Sequence, residues 1–300
     1  MTGAFNCPLP NINDVLLNTG RFVNTNQLSP GKETYNTMTS SSTASDTNRS
    51  NSEISDEEWK SRSRLAACYH IFEHLGWTET IYAHITLKIP DRDNQFLINP
   101  WGLRYDEVSA SNLVAIDLEG NRRDTSAHPV NRAGYVIHGA IHAARPDLKC
   151  VMHTHTTAGM AVAAQQQGLL PISIMSTGYY GRIAYHDYEG PSLERDEQER
   201  LIASLGANKK VMILRNHGLV AAGSTIEEAF ILMFRLQRAC EIQIAAQAGG
   251  SPLNIPAADV CEQSAERTDT FLNSNESPIG KLEFDSYVRL LEEQGKSFSP

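Results

Sequence analysis

The chain has 300 residues, 41% of them hydrophobic, and a net charge of −9. That supports one sizeable core, and an acidic balance without a basic block excludes a nucleic-acid partner. No apolar run reaches the roughly 18 residues of a membrane span. The opening stretch, MTGAFNCPLPNIND, has no basic segment followed by an apolar one, so no secretory signal is expected and the protein reads as cytoplasmic.

Residues 1–52 read as a disordered tail, because the part from 24 to 52 is dominated by Ser, Thr and Asn and buries too little to offset the entropy of ordering. The folded unit begins with a capping box, Ser55-Asp56-Glu57-Glu58, ahead of a helix that runs to about Leu75 and stops at Gly76. Strands are predicted at 81–89 and 95–99, across the turn Pro90-Asp91-Arg92-Asp93, and at 113–117. A helix over 131–145 stops before Pro146, a β-rich run covers 150–154, and a helix over 156–167 closes at Gly168. Short strands follow at 172–175 and 183–185, then a helix at 193–205. Apolar strands at 211–214 and 218–222 flank Arg215-Asn216-His217, and the longest helix spans 224–249. The stretch 251–300 reads as a Pro- and Ser-rich extension with one short helix at 284–293. About nine strands and six helices alternate irregularly, which points to a mixed sheet covered by helices in one domain, 55–250. Five scattered cysteines, Cys7, Cys68, Cys150, Cys240 and Cys261, have no metal-knuckle or CxxC spacing and read as buried reduced thiols.

The chemistry concentrates in Val151-Met152-His153-Thr154-His155, at a strand end. Residues two apart on a strand share a face, so His153 and His155 present two imidazoles side by side. His217 follows another apolar strand, and Gly218 beside it lets the backbone turn sharply. Three neutral imidazoles leave coordination positions open, the mark of a catalytic rather than a structural metal site. His70, His74, His128 and His186 read as surface or satisfied core histidines.

The chain resembles the class II aldolase/adducin family over about residues 60–250. The resemblance is carried by Phe96-Leu97-Ile98-Asn99-Pro100-Trp101-Gly102, by Leu113-Val114-Ala115-Ile116-Asp117-Leu118-Glu119-Gly120, by His138-Gly139-Ala140-Ile141-His142-Ala143-Ala144-Arg145-Pro146-Asp147, by the two strand-end histidines and by Arg215-Asn216-His217-Gly218. It implies an α/β fold, a three-layer α/β/α class II aldolase-like unit with a mixed central sheet. It also implies a metal held by His153, His155 and His217, and a homo-oligomer, commonly a tetramer, with active sites at subunit interfaces.

The departures narrow the chemistry. Sugar-phosphate aldolases of the family carry Pro-Ser-Ser-Glu nineteen residues before the first metal histidine, and here that stretch is Asn131-Arg132-Ala133-Gly134. A glycine moves no proton, so the general acid/base is missing, and the phosphate-binding serines become Arg132 and Ala133. Ala83-His84 stands where Gly-Asn usually opens the other phosphate loop. Three readings follow. The first resembles the non-heme-iron oxidative decarboxylases of this fold: Fe(II), with Zn(II) or another divalent metal as the alternative, acting with dioxygen on a small carboxylate-bearing hydroxy, oxo or amino acid. The second is a lyase or epimerase whose acid/base has moved, with His84, Tyr179, Tyr180 and Tyr185 as candidates. The third is a non-catalytic adducin-like module. Arg132 is expected to pair with a substrate carboxylate, and His138 and His84 are expected to line the site. The segment 176–182 reads either as a loop over a site or as an ordinary turn.

Overall fold

The computed structural model describes residues 54–190, 196–274 and 277–299, so the tail expected over 1–52 lies outside the described residues. Helix α1 (Asp56–His74) starts where the sequence places it: Ser55 Oγ accepts the Glu58 amide at 3.2 Å. Only half of the expected capping box forms. The Glu58 carboxylate pairs instead with Arg62 at 2.9 Å and Arg92 at 2.8 Å, and so anchors the helix to the turn between the first two strands.

Seven strands follow: β1 (His84–Lys88), β2 (Gln95–Ile98), β3 (Val114–Asp117), β4 (Cys150–Thr154), β5 (Ile183–His186), β6 (Val211–Leu214) and β7 (Gly218–Gly223). They form one sheet in the order β3-β2-β1-β4-β7-β6-β5. Every pair is antiparallel except β5 with β6, which is parallel. The mixed sheet of the expected fold is therefore present. The helices between and after the strands are α2 (Arg132–Ala144), α3 (Thr157–Ala163), α4 (Ile174–Thr177), α5 (Glu197–Leu205), α6 (Ile226–Ala248), α7 (Ala258–Asn273) and α8 (Lys281–Glu293).

Strand alternation sorts the core into two layers. Ile85, Leu87, Cys150, Met152, Val211, Ile213, Leu219 and Ala221 join a cluster with α1, α6 and α8 residues such as Phe72, Phe230 and Phe284. Val151, Met212, Leu214, Val220 and Ala222 point to the other face and meet Ile137 and Ile141 of α2 and Leu201 and Leu205 of α5. Each large side chain so buried contributes roughly 1.5–3 kcal/mol.

Three expectations are corrected. The run predicted as a strand at 172–175 becomes helix α4, because Ser173 and Ser176 cap each other reciprocally, with Ser176 N 3.2 Å from Ser173 Oγ and Ser173 N 3.0 Å from Ser176 Oγ. The helix expected to reach 167 ends at Ala163, since the Ala163 carbonyl takes the Asn216 amide at 3.1 Å and the Gln165 carbonyl takes Arg215 Nη1 at 2.8 Å. The segment 251–300 holds two helices, not one, and Phe284, Leu291 and Phe298 are buried in the main core. Among the described residues no helix is long and apolar enough to cross a membrane. Cys68, Cys150, Cys240 and Cys261 are buried free thiols, and Cys7 lies outside the described residues.

Candidate metal centre

His153 sits near the end of β4, in register with His84 of β1 on one side and Val220 of β7 on the other. His155 follows two residues later, just before Thr156 caps α3 by accepting the Gly159 amide at 3.2 Å. His217 arrives from the β6–β7 turn. That turn is clamped onto the end of α3 by the Asn216 and Arg215 bonds described above, and Arg215 lies over the Tyr185 ring at 4.3 Å. Asn216, with φ +55°, takes the left-handed conformation of this turn, a residue type that tolerates it. The expectation that Gly218 supplies the sharp bend is corrected. Its φ is ordinary, and glycine is required for space, because a Cβ there would lie 2.3 Å from the Thr154 carbonyl oxygen, 3.1 Å from His155 Cδ2 and 3.3 Å from His153 Cε1.

The three rings form a near-equilateral triangle, with centroids 4.5, 4.8 and 4.9 Å apart. His153 Nε2 lies 2.7 Å from His155 Nε2 and 3.3 Å from His217 Nε2. Among the described residues these three alone form a group of metal-binding side chains, with donor atoms all within 4.8 Å. His153 Nδ1–H donates to the Leu219 carbonyl at 2.9 Å, which fixes its tautomer and aims the Nε2 lone pair into the cluster. Burial keeps all three neutral: His153 is held well below the usual histidine range, His155 below it, and His217 at about 4. A tetrahedral ion with Zn–N bonds of about 2.0–2.1 Å spaces its ligands by about 3.4 Å, close to the 3.3 Å between His153 and His217 and wider than the 2.7 Å between His153 and His155, whose rings would part to admit it. The donor set therefore fits a divalent ion with at least one open position.

A second set of buried groups adjoins this triangle. The His84 ring lies 5.4 Å from that of His153, and His84 Nδ1 lies 3.0 Å from His138 Nε2. His138 Nδ1 lies 2.8 Å from Thr86 Oγ1, which lies 2.8 Å from His142 Nε2. Burial lowers His84 and His142 to about 3 and His138 well below the usual range, so all are neutral. His84 and His138 thus meet each other as well as the site, while Thr86 and His142 went unnoticed in the sequence. Their signals were the strand spacing His84-x-Thr86 and the helix spacing His138-x-x-x-His142. Glu79 was also missed; exposed before β1, it is the carboxylate whose charge reaches His155.

The position of the missing acid is informative. Gly134 is buried in the first turn of α2, and a Cβ there would lie 2.6 Å from Ile98 Cδ1 and 3.3 Å from His84 Cδ2. Residue 134 thus abuts the imidazole of His84. Arg132 is exposed and lines an open hollow with Gly120, Arg122 and Tyr135, a lining that contains none of the three histidines. Tyr179 and Tyr185 serve packing: the Tyr179 hydroxyl donates to the Leu232 carbonyl at 2.6 Å, and the Tyr185 hydroxyl accepts the Leu169 amide at 3.1 Å. The segment 176–182 packs beside α7, where Arg182 pairs with Asp269 at 2.8 Å and Glu262 at 3.1 Å.

The described residues thus form an α/β unit with a mixed seven-stranded sheet and three histidines converging at a strand end. The family model for the class II aldolase and adducin N-terminal domain matches residues 63–244, and the chain belongs to that family. A solved aldolase II superfamily protein from Pseudomonas syringae is 44% identical, with a TM-score of 0.78, covering 83% of this chain and 99% of that one. The L-fuculose 1-phosphate aldolase from Glaciozyma antarctica PI12 is 25% identical, with a TM-score of 0.70, covering 86% and 97%. Alpha-adducin of Rattus norvegicus is 42% identical over 244 residues, which are 78% of this chain and 33% of that much longer protein.

Proposed function

We propose that the chain is a divalent-metal-dependent enzyme of the aldolase type, a lyase or epimerase acting on a small hydroxy-carbonyl acid. One observation carries this reading: three neutral imidazole donors converge within 4.8 Å, and His84 adjoins both them and the place of the missing carboxylate. His153, His155 and His217 would hold the ion, and class II aldolases use a divalent metal, usually zinc. Such an ion supplies Lewis-acid polarisation of a substrate carbonyl. His84 then takes the proton of the hydroxyl β to that carbonyl as the carbon–carbon bond breaks. The electron pair stays on the α-carbon fragment, which is reprotonated before release. The loss of the phosphate-binding serines at positions 132 and 133 argues against a phosphorylated substrate, while Arg132 itself lines a hollow apart from the three histidines and is given no role in the reaction.

The Fe(II) and dioxygen reading draws on a resemblance to non-heme-iron oxidative decarboxylases and on Gly134 standing in place of the acid/base carboxylate. His84 beside Gly134 offers the lyase reading an acid/base in place of that carboxylate, and oxidative decarboxylation becomes an outcome for the test. The likeness to alpha-adducin favours a second reading, a non-catalytic interaction module. Against it stands the convergence of three imidazoles, which a scaffold has no physical need to build. A homo-oligomer with small-molecule partners is the assembly proposed.

The test is anaerobic loading with Zn(II), Mn(II), Co(II) or Fe(II), followed by a panel of 2-oxo and 3-hydroxy acids. Aldol cleavage and deuterium exchange at the α-carbon are expected, both lost in His84→Ala with metal retained. Oxygen uptake with carbon dioxide release would move the assignment to the oxygenase. Absence of metal binding would leave the adducin-like module.

A further inference from the structure

We propose that Thr86, His138 and His142 are positioning residues that brace His84 in the tautomer bearing its proton on Nδ1, leaving Nε2 as a lone pair. The inference rests on the reading of His84 given above. Its geometry comes from two periodicities that meet. On β1, His84 and Thr86 share the face opposite Ile85 and Leu87, which join the other core layer. On α2, His138 and His142 are four residues apart and so lie one above the other. The four side chains interlock, with exposures of 2% or less at each.

The polarity of the chain follows from its far end. His142 Nδ1 lies 3.3 Å from the Leu148 carbonyl oxygen, which only accepts. A neutral His142 therefore carries its proton on Nδ1, and its Nε2 accepts from the Thr86 hydroxyl. With that hydrogen committed, Thr86 Oγ1 accepts from His138 Nδ1–H. His138 Nε2 is then a lone pair, and it accepts from His84 Nδ1–H. His84 Nε2, the ring neighbour of the Cδ2 atom that faces Gly134, bonds to no described residue. The opposite polarity would set a lone pair of His142 against those of the Leu148 carbonyl, and would make His84 Nε2 a donor.

The brace ends on a carbonyl, so it is no conduit. With Nδ1–H committed to His138, Nε2 is the ring nitrogen of His84 left with a lone pair. An acid/base carboxylate on α2 is thereby replaced by an imidazole on β1 whose orientation α2 supplies.

The experiment uses the full chain, Zn(II)-loaded and ¹⁵N-labelled at histidine, with tautomers read from long-range proton–nitrogen correlations. His84, His138 and His142 are each expected as the Nδ1–H form, and Nε2–H at His84 would overturn the proposal. Thr86→Val is expected to mix the His84 and His138 tautomers and to lower kcat about tenfold, with KM and Zn(II) affinity within about twofold, while Thr86→Ser restores both. Thr86→Val with the wild-type tautomers retained would also overturn it. Should Thr86→Val not fold, the wild-type spectrum decides. That spectrum also decides when no substrate turns over, which separates failure of the brace from failure of the lyase reading.

Discussion

A methyl group at residue 218 would lie 2.3 Å from the Thr154 carbonyl oxygen, where van der Waals contact needs about 3.2 Å. The oxygen belongs to the backbone of β4, so relief comes only by moving β4 and β7 apart by nearly an ångström at their shared end. The same methyl presses on His155 Cδ2 at 3.1 Å and His153 Cε1 at 3.3 Å, two of the three donors. Overpacking of this kind costs about 1–3 kcal/mol, and displaced support of metal ligands typically weakens binding by about 10–100-fold. Gly218→Ala is therefore expected to lower the urea midpoint of the metal-free protein and to weaken Zn(II) binding by one to two orders of magnitude in a chelator competition. A Gly218→Ala protein with wild-type stability and affinity within twofold would refute the packing argument. Because φ is not in the left-handed region, no conformational penalty exists to confuse the result.

His155→Ala should weaken metal binding by about 100-fold or more while leaving the fold cooperative, read by metal content after dialysis. His142 is held at about 3 in the fold, first by burial and then by the Lys88 charge, against about 6.5 unfolded. The unfolded chain thus binds the extra proton between those values, and stability falls as pH drops below about 6.5. The loss from pH 7.5 to 5 is about 2 kcal/mol for such a histidine, with His84 adding a similar amount, measurable by urea unfolding at both pH values. Gly134→Glu forces a Cβ to 2.6 Å from Ile98 Cδ1 and should cost about 1–3 kcal/mol; adding Ile98→Val should recover part of it, and no recovery would locate the strain elsewhere. Tyr179→Phe removes one buried hydrogen bond, so about 1 kcal/mol of stability should go with turnover unchanged, and lost turnover would reinstate Tyr179 as an acid/base.

The convergence of the three histidines was legible because its signals are local: a strand-end His-x-His, and a third histidine in a short turn between apolar strands. The brace was not, although both its spacings stand in the sequence. What joins them is the pairing of β1 against β4 and the seating of α2 on that face, and neither is written in any window of ten residues. The run at 172–175 misled for a different reason. A short apolar stretch carries no periodicity, and the Ser173–Ser176 cap decided it. Helix α7 escaped notice because its inward positions, Cys261 and Ala265, are small and give a faint stripe amid polar residues. Gly218 showed as a glycine, but only the structure tells that it answers to distance rather than to dihedral angle.

The C-terminal closure of the core has a bearing on how the chain is born. Phe284 stacks edge-on against Phe230 with centroids 5.5 Å apart, Asp285 pairs with Arg64 of the first helix at 2.7 Å, and the Phe298 carbonyl accepts the Ala110 amide at 2.9 Å. A ribosome that has made residues 55–250 has delivered the whole sheet and all three candidate ligands, yet the apolar faces of α1 and α6 still await α8. The nascent domain must hold that surface open until the segment around residue 298 clears the exit tunnel. The arrival of residues 281–298 thus sets the moment at which the histidine centre first sits on a finished foundation.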